Sequence, residues 1–165
     1  MGISGMDGRL IEAEMKDERL GYVGKITNVN IMPVIDLLEK GYIPVISTVG
    51  CDKKGNAYNI NGDTAAAFIA GALNAERLIM MTDIEGLLKD KDDPSTLIPE
   101  LTVSEARSLQ EDGTISGGMI PKVECCIEAI TKGVENVVIM DGRVSHSILM
   151  ELLPDEGAGT MFTKG

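Results

Sequence analysis

Short apolar runs rich in β-branched residues alternate along this chain with stretches whose apolar residues recur at helical spacing. Residues 43–49, Ile-Pro-Val-Ile-Ser-Thr-Val, are the clearest run, and Pro44 is tolerable only because it falls near the strand start. Residues 22–29, 78–81, 137–140 and 160–163 repeat the pattern, and residues 2–5 read as a short strand with no cap or turn before it. Helices are predicted over residues 32–39, where Gly41 stops the run, over the alanine-rich residues 63–75, from Ser104 to Gly113, over residues 120–132 and over residues 146–153. Residues 52–56 read as a turn that joins 43–49 to a strand over 58–61 in a hairpin. Strands that alternate with helices define an α/β sandwich with a mainly parallel sheet. A chain of 165 residues with 44% hydrophobic side chains is long enough for one core, so residues 1–165 are expected to form a single domain.

The formal charge of −11 argues against nucleic acid or an anionic membrane as partner, because both are bound by clustered Lys and Arg. A small anionic substrate remains compatible if a few cations converge locally. Cys51, Cys125, Cys126 and the single His146 are too few and too badly spaced for structural zinc, so no metal site is expected. Free thiols in a reducing cytosol are the plainer reading, and no apolar run approaches a bilayer span. A soluble, cytoplasmic protein is expected.

In a sheet of this kind ligands gather at the carboxyl ends of the strands. Asn59-Ile60-Asn61-Gly62-Asp63 delivers an aspartate to a helix start, where it serves either as a cap or as a site residue. Thr82-Asp83-Ile84-Glu85-Gly86-Leu87-Leu88 is an acidic turn after a buried strand; its glycine admits either a ligand or a tight turn. Gly117-Gly118-Met119-Ile120-Pro121-Lys122 opens a helix with a glycine pair and a lysine. Backbone N–H groups at a helix start favour anions and the lysine adds full charge, although the spacing is not that of a P-loop and a solvated surface lysine reads equally well. His146 has no serine or cysteine partner that suggests a triad, and the methionines read as core filler.

Taken together and in this order, the three stretches resemble the acetylglutamate kinase branch of the amino acid kinase family. The likeness runs through essentially the whole chain, including Gly2-Ile3-Ser4-Gly5 and Gly157-Ala158-Gly159-Thr160. It implies a carbamate kinase-like fold, a three-layer sandwich around a mainly parallel open sheet. One lobe of that fold takes N-acetyl-L-glutamate, and the other takes ATP with Mg2+ carried on the phosphates. This chain would be mainly the second lobe, truncated, with the N-terminal substrate lobe largely absent. By resemblance Asn59 and Asn61 contact the substrate, Asp63 organises catalytic lysines, and Lys122 steadies the phosphoryl group in transfer. The segments 83–88 and 114–119 would line the nucleotide through Asp83, Ile84, Gly86, Leu87, Leu88, Ser116, Gly118 and Met119.

The chemistry implied is consistent with those residue types. A carboxylate acceptor is already ionised at neutral pH, so the reaction needs alignment and positive charge rather than a general base. The family also uses an N-terminal lysine followed by glycines, a substrate-binding glycine pair and an arginine for the α-carboxylate, and none has a counterpart here. Little or no kinase activity is therefore expected of the lone chain. The segment from His146 to Thr160 resembles the signature of arginine-inhibited members, which points to Glu151 and Gly157 for L-arginine as inhibitor; an ordinary amphipathic helix and edge strand is the competing reading. A homodimer is compatible with the chain, whereas the helix that builds hexamers is missing. A kinase acting on carrier-linked aminoadipate and a noncatalytic nucleotide- or arginine-binding module remain open as alternatives.

Overall fold

The computed structural model describes residues 1–90, 92–153 and 157–165, and the chain falls into two compact units, Met1–Leu73 and Asn74–Gly165. In the first unit the apolar residues that cannot face water lie far apart in sequence and meet in one core. Leu10, Ile11, Ala13, Ile26, Val34, Tyr58, Ile60 and Ala65 are buried together, with Ile3, Val29, Ile46, Phe68, Ile69 and Leu73 packed against them. They come from strands β1 (Gly2–Ser4), β2 (Ile11–Met15) and β3 (Gly24–Val29), helix α1 (Met32–Glu39), strands β4 (Val45–Ser47), β5 (Val49–Cys51) and β6 (Ala57–Asn59), helix α2 (Gly62–Ala72) and the segments between them.

Two features of this unit depart from the sequence pattern. The run 43–49 is not one strand: β4 pairs in parallel with β1, whereas β5 pairs with β2 in parallel and with β6 antiparallel. The chain changes sheets at Thr48: residues 45–47 of the run make β4, and Val49 already opens β5 with different partners. Strand β2 was not evident from the sequence, yet it lies inside the four-stranded sheet of order β3-β2-β5-β6. Its Ile11 and Ala13 are buried while Glu14 is exposed, the alternation of a half-buried strand.

That sheet curls until its edges meet. Val23 pairs with Asn59, and the Asn59 N–H donates to the Tyr22 carbonyl at 2.8 Å. The curl needs small residues inside it: a Cβ at Gly24 would lie 2.6 Å from Ile60 Cδ1 and 2.7 Å from Tyr58 Cβ. Helix α2 packs against β3, and Ala65, Ala67, Ala70 and Gly71 form its buried face.

The second unit is built on one sheet of order β7-β9-β10-β8. Its elements are β7 (Arg77–Thr82), β8 (Glu100–Thr102), helix α3 (Val103–Glu111), helix α4 (Met119–Thr131), β9 (Asn136–Asp141), helix α5 (Ser147–Leu152) and β10 (Thr160–Thr163). Strands β7 and β9 run parallel in register from Arg77↔Asn136 to Thr82↔Asp141. Strand β10 lies antiparallel to β9 and parallel to β8. Val137, Val138, Ile139 and Met140 are all fully buried, which explains an apolar run without alternation.

Helix α4 covers β9 with Val123, Cys126 and Ile130, and the Cys126 thiol donates to the Met80 sulfur at 3.5 Å. Helix α3 starts on a capping box: Thr102 Oγ1 accepts from the Glu105 N–H at 3.2 Å, and Glu105 Oε2 accepts from the Thr102 N–H at 2.7 Å. Among the described residues there are five α-helices, and four of the seven strand pairings are parallel. The expected mixed α/β class with a mainly parallel arrangement therefore holds. No described helix is long and apolar enough to cross a membrane.

Candidate functional site

Strands β7 and β9 end side by side, and the polypeptide beyond each end turns across the edge of the sheet. Segment 83–88 leaves β7, Asp141 to Arg143 leave β9, and residues 114–119 lead into α4. Together they enclose a cleft of about 590 Å3, a size that suits a small-molecule ligand. Every residue that the sequence proposed for the nucleotide lines it: Asp83, Ile84, Gly86, Leu87, Leu88, Ser116, Gly118 and Met119. Lys122 lines the same cleft.

The acidic turn is held by backbone pairing of Leu87 and Leu88 with Ile98 and Leu97, the Ile98 N–H donating to the Leu87 carbonyl at 2.8 Å, and by one hydroxyl. Thr160, fully buried on β10, accepts from the Leu87 N–H at 2.8 Å and donates to the Ile98 carbonyl at 2.7 Å. Gly86 lies under that hydroxyl with φ of 155°, and a Cβ there would come 2.5 Å from Thr160 Oγ1 and 2.8 Å from Leu97 Cδ1. Packing inside the protein thus excludes a side chain at Gly86, whose backbone also lines the cleft.

The opposite wall is the start of α4. Gly117 adopts φ of 57°, Gly118 takes the N-cap position with no capping side chain, and Cβ atoms at either glycine would project into open space. The glycine backbone can therefore approach a ligand there, next to the lysine of the following turn; the Met119 and Ile120 N–H groups donate to the Ser116 and Gly117 carbonyls at 3.2 and 3.3 Å, and Pro121 carries no N–H.

Arg143 also lines the cleft and was not singled out from the sequence. Its Nε and Nη2 donate to the two carboxylate oxygens of Asp141 at 2.9 and 2.8 Å, and its N–H donates to Asp141 Oδ1 at 2.8 Å. This side-chain pairing holds the Asp141 carboxyl below the usual carboxylate range. It also raises Arg143, with the nearby carboxylates of Asp83 and Glu85 adding smaller contributions. The signal that could have found Arg143 is its place just past a buried parallel strand.

In the first unit, Asn59, Asn61 and Asp63 follow one another from the end of β6 into α2. Asn59 is exposed. Asn61 is the N-cap of α2: its Oδ1 accepts from the Thr64 N–H at 3.0 Å and from the Thr64 hydroxyl at 3.3 Å. Asp63 sits in the first turn, where its charge suits the helix dipole, so the capping role that the sequence offered to Asp63 belongs to Asn61.

Glu151 and Gly157 do meet in the second unit. The Glu151 carboxylate is buried, accepts from the Ala158 N–H at 2.9 Å and lies 3.9 Å from the Arg77 guanidinium. A Cβ at Gly157 would press within 2.5 Å of Glu151 Oε2. The signature's Pro154, Asp155 and Glu156 lie outside the described residues, as does Lys91 of the charged loop before Pro94. His146 precedes α5 in a left-handed conformation without a capping side-chain bond.

Solved structures share this fold. A carbamate kinase from Giardia lamblia bound to AMP-PNP, 24% identical, superposes over 87% of this chain and 47% of its own with a TM-score of 0.65. An N-acetylglutamate synthase from Neisseria gonorrhoeae, crystallised with coenzyme A and L-arginine and 27% identical, matches 99% of this chain and 38% of its own with a TM-score of 0.84.

The chain belongs to the amino acid kinase family, whose pattern matches residues 1–141. It is similar to the acetylglutamate kinase of Brachyspira hyodysenteriae, with 51% identity over 99% of this chain and 58% of that protein. It is also similar to the chloroplastic acetylglutamate kinase of Arabidopsis thaliana, with 48% identity over 99% of this chain and 48% of that protein. The chain spans about half the length of the curated relatives it matches.

Proposed function

We propose that this chain is mainly the nucleotide-binding lobe of an acetylglutamate kinase, which transfers the γ-phosphoryl group of ATP to the side-chain carboxylate of N-acetyl-L-glutamate in arginine biosynthesis. The observation that carries the reading is the convergence of segments 83–88 and 114–119 with Lys122 on one cleft. About half the residues are identical to those of acetylglutamate kinases, which favours acetylglutamate over other acceptors.

The residues fit a nucleoside triphosphate. Ile84, Leu87, Leu88, Ile115 and Met119 provide an apolar wall for the base, and the positive end of the α4 dipole with Lys122 provides charge for the phosphates, which the open glycine backbone at 117–118 lets approach. ATP, when bound with Mg2+ on its phosphates, supplies the transferable group. Lys122 stabilises the charge that spreads over the phosphoryl oxygens as it moves, and no side chain has to take a proton from an acceptor already ionised. Asn59 contacts the acetylglutamate, and Asp63, in the first turn of α2, orients the lysines of the reaction. The setting we propose is the cytoplasm, in keeping with three free cysteines.

The lone chain is proposed to bind ATP and to turn over little. Calorimetric titration of these 165 residues with MgATP is expected to give saturable binding, and phosphoryl transfer to acetylglutamate is expected only when the N-terminal half of a full-length relative is supplied as well. Absence of ATP binding would overturn the reading, and so would transfer by the lone chain at the rate of the full-length relatives. We also propose that L-arginine is recognised by the α5 segment. A buried carboxylate at Glu151 and the arginine-bound synthase support this. Arginine binding that is unaffected by Glu151→Ala would remove it.

A further inference from the structure

We propose that Arg143 is a second phosphate-binding cation of the cleft, contacting the nucleotide's phosphate chain through the guanidinium edge that Asp141 leaves open. This rests on the nucleotide reading and adds a residue to it that no motif assigned.

The geometry builds the residue into place before any ligand arrives. Asp141 ends β9 in register with Thr82 at the end of β7, and the Gly142 N–H donates to the Thr82 carbonyl at 2.8 Å. Gly142 lies so close to β7 that a Cβ there would sit 3.1 Å from Met81 Cβ, so the turn is pressed onto the neighbouring strand. Asp141 is largely buried, its side chain 11% exposed, and its two oxygens grip Nε and Nη2 in a fork. The Arg143 side chain is 68% exposed, and among the described residues Nη1 makes no hydrogen bond. A guanidinium fixed along one edge loses little further rotamer freedom when the other edge takes an oxyanion.

The cleft is short of phosphate-binding donors besides Lys122. Among its lining residues Lys122 and Arg143 are the cations, and Asp83 and Glu85 are the carboxylates. Lys122 alone would present a polyphosphate with a net negative wall, which repels the ligand. Asp141 already balances much of the Arg143 charge, so what Arg143 adds is the directed N–H donors of its open edge, and Arg is suited to bidentate contact with phosphate oxygens. An internal pairing with Asp141 whose only role is to staple the turn is the competing account, and the two differ in which ligands respond to substitution.

The test compares Arg143→Gln with wild type in calorimetric titrations of the full chain with MgATP, ADP, AMP and adenosine. Arg107→Gln on α3, outside the cleft, controls for the change in net charge. A lost charge-assisted contact is expected to weaken MgATP binding about tenfold or more. Adenosine should change less than about twofold, and Arg107→Gln should leave all ligands within that range. Arg143→Lys, which keeps the charge but not the fork, should fall between. Equal losses for adenosine and MgATP would overturn the proposal in favour of a stapling role, as would unchanged binding of all four ligands. If the wild-type chain binds no MgATP, the nucleotide reading fails and takes this proposal with it. If wild type binds and Arg143→Gln binds as well, only this proposal fails.

Discussion

The candidate residues of the two units were put forward on similar grounds, and the structure treats them differently. In the second unit the candidates come from sequence positions as far apart as Asp83 and Lys122, and they line one cleft. In the first unit Asn59, Asn61 and Asp63 are near neighbours on one continuous segment, and Asn61 already caps α2. Nearness in sequence guarantees nearness in space, so it says nothing about a site. Convergence from separate elements has to be arranged by the whole fold, and it carries more weight. Within the second unit the glycines divide as well: Gly86 is held by the packing of Thr160 and Leu97, whereas a Cβ at Gly117 or Gly118 would face open space.

The strongest way to break the comparison is to loosen the convergence without touching a ligand. Thr160→Val keeps the shape of a fully buried side chain but leaves the Leu87 N–H and the Ile98 carbonyl unpaired. The expected cost is about 2–4 kcal/mol, measured by urea unfolding. ATP affinity should fall with it, because the turn that carries Asp83 to Leu88 loses its anchor. Gly86→Ala should cost about 1–3 kcal/mol from the same place, since its Cβ would meet the Thr160 hydroxyl and its φ of 155° disfavours a side chain. If either variant unfolds at the wild-type midpoint, the turn is not pinned as described.

Much of this architecture was legible in the sequence, and the misses share a cause. Helix α1 spans the residues its apolar spacing indicated, and the buried run 137–140 was evident because a strand covered on both faces needs no alternation. Strand β2 was missed because Glu12 and Glu14 make Ile11–Met15 look like a polar connection; only its partners β3 and β5 show it to be a strand. The run 43–49 looked like one strand because propensity does not record that β1 pairs with 45–47 while Val49 starts the strand that pairs with β6. At the site, glycine-rich and acidic motifs were visible, but Arg143 was not. Its meaning comes from the register that sets Asp141 beside Thr82, and pairing between strands more than 50 residues apart is not written in local sequence.

A smaller perturbation sharpens the reading of the first unit. Asn61→Ala removes the acceptor of the Thr64 N–H and should destabilise the chain by about 1 kcal/mol, whereas Asn61→Ser or Asn61→Asp should restore most of it, because each can still cap. Thermal unfolding of the three variants decides the point. A loss with Ala that neither Ser nor Asp recovers would mean that the amide, not the cap, is what the position requires. That would move Asn61 back beside Asn59 as a ligand contact.

The smallest effect concerns the hairpin that leads to Asn59. Asp52 closes the turn between β5 and β6: Oδ1 accepts from the N–H groups of Lys54 and Asn56 at 2.8 and 2.9 Å, and Oδ2 accepts from the Asn56 side-chain amide at 2.7 Å and the Tyr58 hydroxyl at 3.1 Å. These bonds, led by the Asn56 side chain, hold the Asp52 carboxyl down to about 2 from its ordinary 3.8. A lowered folded-state pKa means that the ionised form is favoured by folding. Its contribution is complete above about pH 4, declines as pH falls below the unfolded value, and is gone once pH passes below about 2. Asp52→Asn should therefore lower stability at pH 7 and show less acid sensitivity between pH 4 and pH 2 than wild type. The effect should be modest, because this carboxylate is near the surface and water screens it. Parallel acid profiles for wild type and Asp52→Asn would show that the turn does not hold the ionised carboxylate, and that β6 reaches Asn59 by strand pairing alone.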